Sequence, residues 1–218
     1  MPRSFIDHIV VTAPNLEVGG AYVRSMLGVA PQAGGAHARM GTHNLLLRLG
    51  DALYLEVIAP NPQAPAPMRP RWFALDTLDR DAAAALTAWV VRTPDIQASA
   101  AACTERLGAI EPMSRGALDW RITIPADGLP PLDGLAPALI EWQTGVHPAA
   151  RLADHGLSLV SLELFHAEPQ RVSRLLSSLE LGGPISVASP PAGRAPYLVA
   201  QIATPQGLRL LTVHHAAS

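Results

Sequence analysis

The apolar residues of this chain repeat one arrangement, a strand followed by an amphipathic helix. The run 6–11 is typical of a strand, and apolar residues at helical spacing follow it. The run 88–91 begins a second copy, displaced by 80 residues with no insertion. Each helix lies between a proline and a glycine at matching places, Pro14 and Gly28 in the first copy and Pro94 and Gly108 in the second. This constant register predicts two copies of one structural unit.

A third and looser copy follows towards the C-terminus. Its strand covers 157–165, Pro169 precedes its helix, and Gly182-Gly183 ends it. Two or three further apolar segments follow each predicted helix, as strands would. They are 36–40, 44–49 and 52–58 in the first copy, 118–124 and 138–143 with a weaker 110–113 in the second, and 185–188, 197–203 and 208–213 in the third. The repeated unit is therefore a helix among several strands, which predicts an α+β fold.

Proline-rich connectors separate or interrupt the copies. Five prolines lie between residues 60 and 70, and a second cluster lies between 125 and 137. Such segments favour an extended chain and are typical of linkers or of the rim of a cleft. We divide the chain into a first module at 1–60, a connector at 61–85, a second module at 86–150 and a third, divergent module at 151–218.

Composition excludes several classes of protein. Apolar residues make up 49% of the chain, which is too many for a disordered protein. The 16 basic residues, all arginines, are dispersed and nearly balance 18 acidic ones, so nucleic acid is not an expected partner. No apolar run approaches the ~20 residues that would span a bilayer, and Cys103 has no second cysteine to pair with. We expect a cytoplasmic protein without a membrane partner.

Candidate chemistry follows from the alternation of side chains along the strands. His8 shares a strand face with Val10 and Thr12, whereas Asp7 is predicted on the other face, with Ile9 and Val11. Glu56 likewise alternates with aliphatic residues that suit a helix-covered face. His8 and Glu56 are therefore expected on the side of the sheet away from the helices.

The second module matches the first only in part. Glu141 is aligned with Glu56, but Ala88 stands where the first module has His8. Trp142 alternates away from Glu141, and we interpret it as a core residue. No glycine-rich phosphate loop, paired-cysteine zinc motif or Gly-x-Ser-x-Gly nucleophile motif occurs in the sequence.

These features resemble the vicinal-oxygen-chelate superfamily, whose members include glyoxalase I, extradiol dioxygenases and bleomycin-resistance proteins. A narrower resemblance, to glyoxalase-like domains, covers about residues 5 to 180. It rests on three short runs, Gly41-Thr42-His43-Asn44, Trp89-Val90-Val91-Arg92-Thr93-Pro94-Asp95 and Gly145-Val146-His147-Pro148. The resemblance implies tandem βαβββ modules that form a cup-shaped mixed sheet, with a third related module at the C-terminal end.

The resemblance also implies a metal site, with His8, Glu56 and Glu141 as ligands. One imidazole and two carboxylates can hold Fe, Mn, Ni or Zn as a divalent ion with positions open to a substrate. Glu141 is then the expected catalytic base, and His43, Asn44 and Arg121 are the expected substrate contacts. His43 is alternatively a replacement ligand or a turn residue, and Arg121 is alternatively an ordinary rim arginine.

Two functions remain open at this point. The first is a metal-dependent lyase, isomerase or dioxygenase acting on a small oxygen-rich molecule. The second is a binding or resistance protein on the same fold, in which His8 and Glu56 hydrogen-bond each other without a metal. The third module would leave a sheet edge unpaired, so we expect a homodimer. His214-His215 matches no spaced metal motif and is interpreted as a tail.

Overall fold

The computed structural model of the protein describes residues 3–213, so His214 and His215 lie outside the described residues. The first module contains β1 (Ser4–Thr12), α1 (Leu16–Leu27), β2 (Gln32–His37), β3 (Thr42–Arg48) and β4 (Tyr54–Pro60). The second contains β5 (Ala85–Arg92), α2 (Ile96–Ala102), β6 (Ala109–Arg115), β7 (Leu118–Ile124) and β8 (Ala138–Trp142). The third contains β9 (Ser158–Phe165), α3 (Pro169–Ser178), β10 (Leu181–Gly182), β11 (Ile185–Ala188), β12 (Tyr197–Thr204) and β13 (Gly207–Thr212).

The first two modules share one curved sheet, in the order β2-β3-β4-β1-β5-β8-β7-β6. β1 lies parallel to β4 and β5 lies parallel to β8, so each module begins and ends on neighbouring strands. The antiparallel pair β1–β5 joins the two modules at the centre. The expected α+β fold of tandem βαβββ modules with a cup-shaped sheet is confirmed. We call the inner face of this curved sheet, lined by His8, Glu56, Trp120 and Ile140, the cup.

The third module forms its own sheet, in the order β11-β9-β12-β13. It packs with the helices on the face of the large sheet opposite the cup, where Leu162, Leu198 and Ile202 join the same core as Trp89. β10 also pairs in parallel with the first residues of β1. All three modules therefore contribute to one hydrophobic core, and a smaller apolar cluster lines the cup.

Helix α2 is shorter than its apolar spacing predicts. It is capped by the Asp95 side chain and ends at Cys103, not at Gly108. Beyond it the chain turns towards α3, where the Thr104 amide donates to Ser178 Oγ and the Glu105 carboxylate accepts two hydrogen bonds from Arg171. These contacts hold residues 104–105 against the third module. The chain therefore leaves the helix at Cys103 and does not continue it to Gly108.

The proline-rich connector is a structured cover over the cup. Trp72 and Phe73 are buried in it, and the Ala74 amide donates to the Gly128 carbonyl at 2.9 Å. Phe73 and Ala74 both have left-handed backbone angles, with φ of 56° and 54°, which turn the chain sharply at this point. We call residues 70–78 the cover segment. In residues 3–213, no helix is both long and apolar enough to cross a membrane.

Candidate functional site

A β-bulge in β1 brings two adjacent side chains into the cup. The β1–β5 register pairs Ile6 with Val91 and His8 with Val90, which leaves Asp7 as the extra residue. A bulge redirects the side chain of the inserted residue, so strict alternation fails here. His8 Nδ1 lies 2.6 Å from Asp7 Oδ1, and both residues are buried. The prediction that Asp7 faces the helices is therefore wrong.

Asp7 is a shared acceptor at one end of the cup. Its Oδ2 accepts hydrogen bonds from Trp142 Nε1 and His147 Nε2, each at 2.9 Å. His147 Nδ1 accepts from the Ala149 amide, so its Nε2 carries the hydrogen that Asp7 receives. Trp142 lines the cup, and our interpretation of it as a core residue did not foresee this polar contact.

His8 and Glu56, both predicted for the site, face each other in the cup. His8 Nε2 lies 3.4 Å from Glu56 Oε2, and the Tyr54 ring stacks on the imidazole with centroids 4.5 Å apart. Asn44, also predicted, is buried and donates from Nδ2 to Glu56 Oε1 at 2.5 Å. Three of the predicted residues are thus brought together.

Arg115 is a cup residue that the sequence analysis missed. It ends β6, and its Nη1 donates to His37 Nε2 at 3.0 Å and to Asn44 Oδ1 at 3.2 Å. Arginine can only donate, so His37 Nε2 is the acceptor, and His37 Nδ1, 3.1 Å from Thr42 Oγ1, carries the ring hydrogen. A chain of hydrogen bonds and one ion pair, His8–Glu56, therefore crosses the cup from Arg115 through Asn44, Glu56 and His8 to Asp7.

The pair Gly34-Gly35 was the sequence signal for this arrangement. A Cβ on Gly34 would lie 2.1 Å from Asn44 Oδ1, and one on Gly35 would lie 2.8 Å from Arg115 Cδ. The Gly35 amide also donates to Asn44 Oδ1. Because neither glycine carries a side chain, Asn44 and Arg115 can pass close to β2.

The charges of the cup follow from burial and pairing. Burial alone would lower the pKa of His8, but its hydrogen bonds and charge interactions with Asp7 and Glu56 raise it to about 9. Burial would raise the pKa of Glu56, yet the contact with His8 and the Asn44 hydrogen bond lower it to about 2. Burial would also raise the pKa of Asp7, but its histidine partners hold it well below the usual value. Near neutral pH, His8 is therefore a cation between two carboxylates.

The pKa of His37 is shifted in the opposite direction to that of His8. Its burial lowers its pKa to about 4, and the positive charges of Arg115 and His8 act in the same direction. His37 is thus neutral at neutral pH and serves as an acceptor for the Arg115 guanidinium. Its role here is to hold Arg115.

The cup encloses a small cavity with aromatic walls. Its volume is about 30 Å³, which is room for one or two water molecules. Trp120 and Trp142 line the wall, and Trp72 and Phe73 of the cover segment close it from above. The lining therefore combines these aromatic walls with the charged groups of His8, Glu56 and Arg115.

Glu141 and Arg121 do not lie in the cup. The parallel register places Val10 opposite Glu56 and, in the second module, Val90 opposite Ala138. Ala138 is therefore the structural counterpart of Glu56, and Glu141 projects from the other face of β8. There it accepts hydrogen bonds from Arg121 Nη2 at 2.6 Å and from the Ile96 amide at 2.8 Å. The structure does not bring this carboxylate to His8 and Glu56.

His43 also lies outside the cup. It is the neighbour of Asn44 on β3, so it projects from the helix side of the sheet, as Leu45 and Leu47 do. Burial lowers the pKa of His43, and its Nε2 has no hydrogen-bond partner among the described residues. Its expected contact with a substrate is not supported by this placement.

The residues of the cup do not fit the divalent metal that the superfamily resemblance implies. The second module offers Ala88 and Ala138 where ligands would stand, so His8 and Glu56 remain as two donors. Nδ1 of His8 is hydrogen-bonded to Asp7. The positively charged guanidinium of Arg115 lines the same cavity and would repel a metal cation. Within residues 3–213, no three His, Cys, Asp or Glu side chains are grouped to hold a metal ion. Three or more ligands are usual for such ions.

Comparison with known proteins identifies relatives of this fold. The sequence model of a family described as glyoxalase-like domain matches residues 6–180. A solved protein from Staphylococcus aureus, described as hypothetical, has 13% identity and a TM-score of 0.55 over 98% of this chain and 86% of its own. No curated protein matches the sequence.

Two enzymes are among the other structural neighbours. A methylmalonyl-CoA epimerase from Streptomyces coelicolor has 21% identity and a TM-score of 0.46, over 66% of this chain and 97% of its own. A variant of 4-hydroxymandelate synthase from the same organism has 16% identity and a TM-score of 0.49, over 97% of this chain and 63% of its own.

Proposed function

Because the chain belongs to the glyoxalase-like domain family of the vicinal-oxygen-chelate superfamily, we propose that its cup is an active site for proton transfer on a small oxygen-rich molecule. His8 and Glu56 carry the reaction, which is of the lyase or isomerase type. The observation that supports this most directly is the 3.4 Å contact between His8 Nε2 and Glu56 Oε2 inside the cavity. Functional hydrogen bonds are often long in ligand-free enzymes and shorten around the substrate.

The protonation states of the pair suit this chemistry. With a pKa of about 9, His8 holds a proton at neutral pH that it can donate to a substrate oxygen. Glu56, with a pKa of about 2, is a carboxylate that can accept a proton. The contact with His8 keeps the basicity of Glu56 low, so a ligand that separates the two groups would make Glu56 a stronger base.

Other cup residues orient the pair. Asp7 fixes the ring of His8 through Nδ1, which leaves Nε2 as the atom that faces a ligand. Asn44 holds one oxygen of Glu56 and leaves the second towards His8. The aromatic walls keep bulk water away from these groups and so strengthen their interactions.

This proposal assigns no step to a metal ion. A metal-dependent lyase or a dioxygenase needs a third ligand, and Glu141 projects from the opposite face of the sheet. The acid–base reaction needs the two groups that the cup does contain.

Hydrogen–deuterium exchange at carbon tests the proposal. Short 2-oxo acids, 2-hydroxy acids and their amides are incubated with the protein in D₂O, and loss of C–H signals is followed by proton NMR. Wild type should catalyse exchange in at least one compound, and Glu56→Gln and His8→Asn should abolish it. Glu141→Gln is the matched control and should keep the wild-type rate. Exchange that persists in Glu56→Gln would contradict the proposal.

A binding protein without catalysis is the second candidate. It is favoured by the pairing of His8 and Glu56 with Asp7 and Asn44, which gives each of these polar groups a partner within the protein beside a cavity of about 30 Å³. In that case ligand-observed NMR on the same compounds would detect binding with no carbon exchange in wild type.

A further inference from the structure

Two residues of the cup, Arg115 and Trp72, can donate hydrogen bonds beyond those that the described part of the chain accepts. Arg115 forms no salt bridge with any carboxylate of residues 3–213, and its two contacts there use Nη1 alone. Trp72 is 5% exposed, and its Nε1 has no hydrogen-bond partner. A buried donor left unpaired is costly, so its presence indicates a missing acceptor.

The two donors belong to one side of the cavity. Both residues line it, and both contact His37. Arg115 donates to His37 Nε2, and the Trp72 ring meets the His37 ring edge to face, with centroids 5.1 Å apart. His37 therefore contacts both the guanidinium and the indole.

We propose that this corner of the cup, formed by Arg115, His37 and Trp72, binds the carboxylate of a small organic acid. A guanidinium and an indole N–H supply donors only, which selects an acceptor-rich group, and the planar fork of arginine matches a carboxylate. The cavity volume of about 30 Å³ suits a group of few atoms. Small organic acids are thus the substrate class that we propose for the cup.

The electrostatics of the cup permit an added anion at this corner. Arg115 has no carboxylate partner there, and His37 is a neutral acceptor. The two carboxylates of the cup, Asp7 and Glu56, both contact His8 and not Arg115. An acid bound by Arg115 would extend towards His8 and Glu56, since Asn44 links Arg115 to Glu56.

This inference rests on the proposed function, because it assumes that the cup receives the ligand. Its test compares acids with their amides, and uses binding and not exchange as the readout. Pyruvate and lactate are titrated by ligand-observed NMR beside pyruvamide and lactamide, with inorganic phosphate as a separate anion. The variants are Arg115→Gln and Trp72→Phe, which removes the N–H and keeps an aromatic ring.

The acids should bind wild type at least about tenfold more tightly than the amides, since hydrogen bonds to charged groups contribute that much. Arg115→Gln should remove this preference, and Trp72→Phe should reduce the affinity for acids several-fold while leaving the amides unchanged. Arg121→Gln is the matched control, because its guanidinium lies on the opposite face, and it should bind as wild type does.

Three outcomes would overturn the inference. They are equal binding of acids and amides, binding of phosphate but not of the acids, and absence of acid binding at millimolar concentration. Carbon exchange that depends on Glu56 would still support the proposed function in each case. Acid binding without any exchange would instead support the inference and contradict the catalytic proposal.

Discussion

His8 Nδ1 lies 2.6 Å from Asp7 Oδ1, although the two residues are consecutive on one strand. In a regular strand their side chains would project from opposite faces of the sheet. The bulge at Asp7 places both in the cup, and a buried carboxylate thereby fixes the orientation and charge of the histidine. Asp7 acts through His8, so it is a positioning residue.

Asp7→Asn should lower the pKa of His8, because burial then dominates over the lost charge of Asp7. Proton NMR titration of the histidine ring measures this shift. We also expect a loss of about 3 kcal/mol in the free energy of unfolding, since a buried ion pair loses one partner. Asp51→Asn removes an exposed carboxylate, 96% accessible, and should change neither quantity. An unchanged His8 pKa in Asp7→Asn would contradict the assigned role.

The raised pKa of His8 predicts a pH dependence of stability. The folded value of about 9 exceeds the ordinary value of 6.5, so the folded state holds the proton more tightly than the unfolded state. This contribution is complete below pH 6.5 and is lost as the pH rises through 9. The free energy of urea unfolding, measured from pH 6 to 9.5, should fall across this window. The fall should be smaller in His8→Gln, and equal slopes in the two proteins would argue against a charged His8.

Substitutions of Gly34 and Gly35 in β2 should differ in their effects on unfolding free energy and on the binding of organic acids. Gly34→Ala places a Cβ 2.1 Å from the buried Asn44 side chain and near its backbone oxygen, so we expect a loss of about 2 kcal/mol in unfolding free energy. Gly35→Ala meets Arg115 near the middle of a half-buried, flexible side chain, which can move away. It should cost less stability but weaken binding of organic acids. Chemical denaturation and ligand titration measure the two effects, and equal losses of stability would contradict the model of a movable Arg115.

The cover segment predicts a stabilising substitution. Ala74 has a φ of 54°, which glycine adopts without the steric penalty of a Cβ. Ala74→Gly should therefore raise the free energy of unfolding by about 0.5 to 1 kcal/mol, if native strain outweighs the added freedom of the unfolded chain. Ala98→Gly in α2 is the control and should lower it by about 1 kcal/mol. A loss of stability in both variants would show that Ala74 is not strained.

The donor set of the cup predicts weak interaction with divalent metals. Protein purified without chelator should contain far less than one equivalent of Fe, Mn, Ni or Zn, because the cup provides His8 and Glu56 without a third ligand. Addition of Mn²⁺ or Zn²⁺ should leave the thermal midpoint unchanged, and EDTA treatment should leave carbon exchange unchanged. A metal-dependent rise in the midpoint that disappears in Glu56→Ala would contradict this prediction.

The sequence predicted the fold well because its signals are local. The constant spacing of Pro14 and Pro94 and the apolar periodicity after them define the repeated module. The end of α2 was less predictable. It depends on contacts of Glu105 with Arg171 in the third module. The helix propensity of the local sequence does not reflect these long-range contacts.

The site was predicted in part, and its errors have a common physical origin. His8 and Glu56 were placed in the site because they alternate regularly, and Asn44 was named from the family resemblance, whereas the bulge at Asp7 changes the alternation locally. Glu141 was aligned with Glu56 by sequence pattern, but the strand register makes Ala138 the true counterpart. A shift by an odd number of residues transfers a side chain to the other face.

Arg115 and Trp72 could not be assigned from the sequence. Arg115 is the last residue of β6, which the sequence indicated only weakly, and Trp72 lies in the connector, so no periodicity indicated the direction of either side chain. The pair Gly34-Gly35 was the accessible clue, since two adjacent glycines within a strand suggest the close approach of another group.

The pairing of β1 with β10 affects how the chain folds during translation. Ser4 and Phe5 leave the ribosome early, but their partners Leu181 and Gly182 follow more than 170 residues later. The central strand of the cup therefore has an open end until the third module emerges. A nascent chain that stops before residue 181 exposes this end, together with the core surface that the third module covers, to chaperones and to other chains.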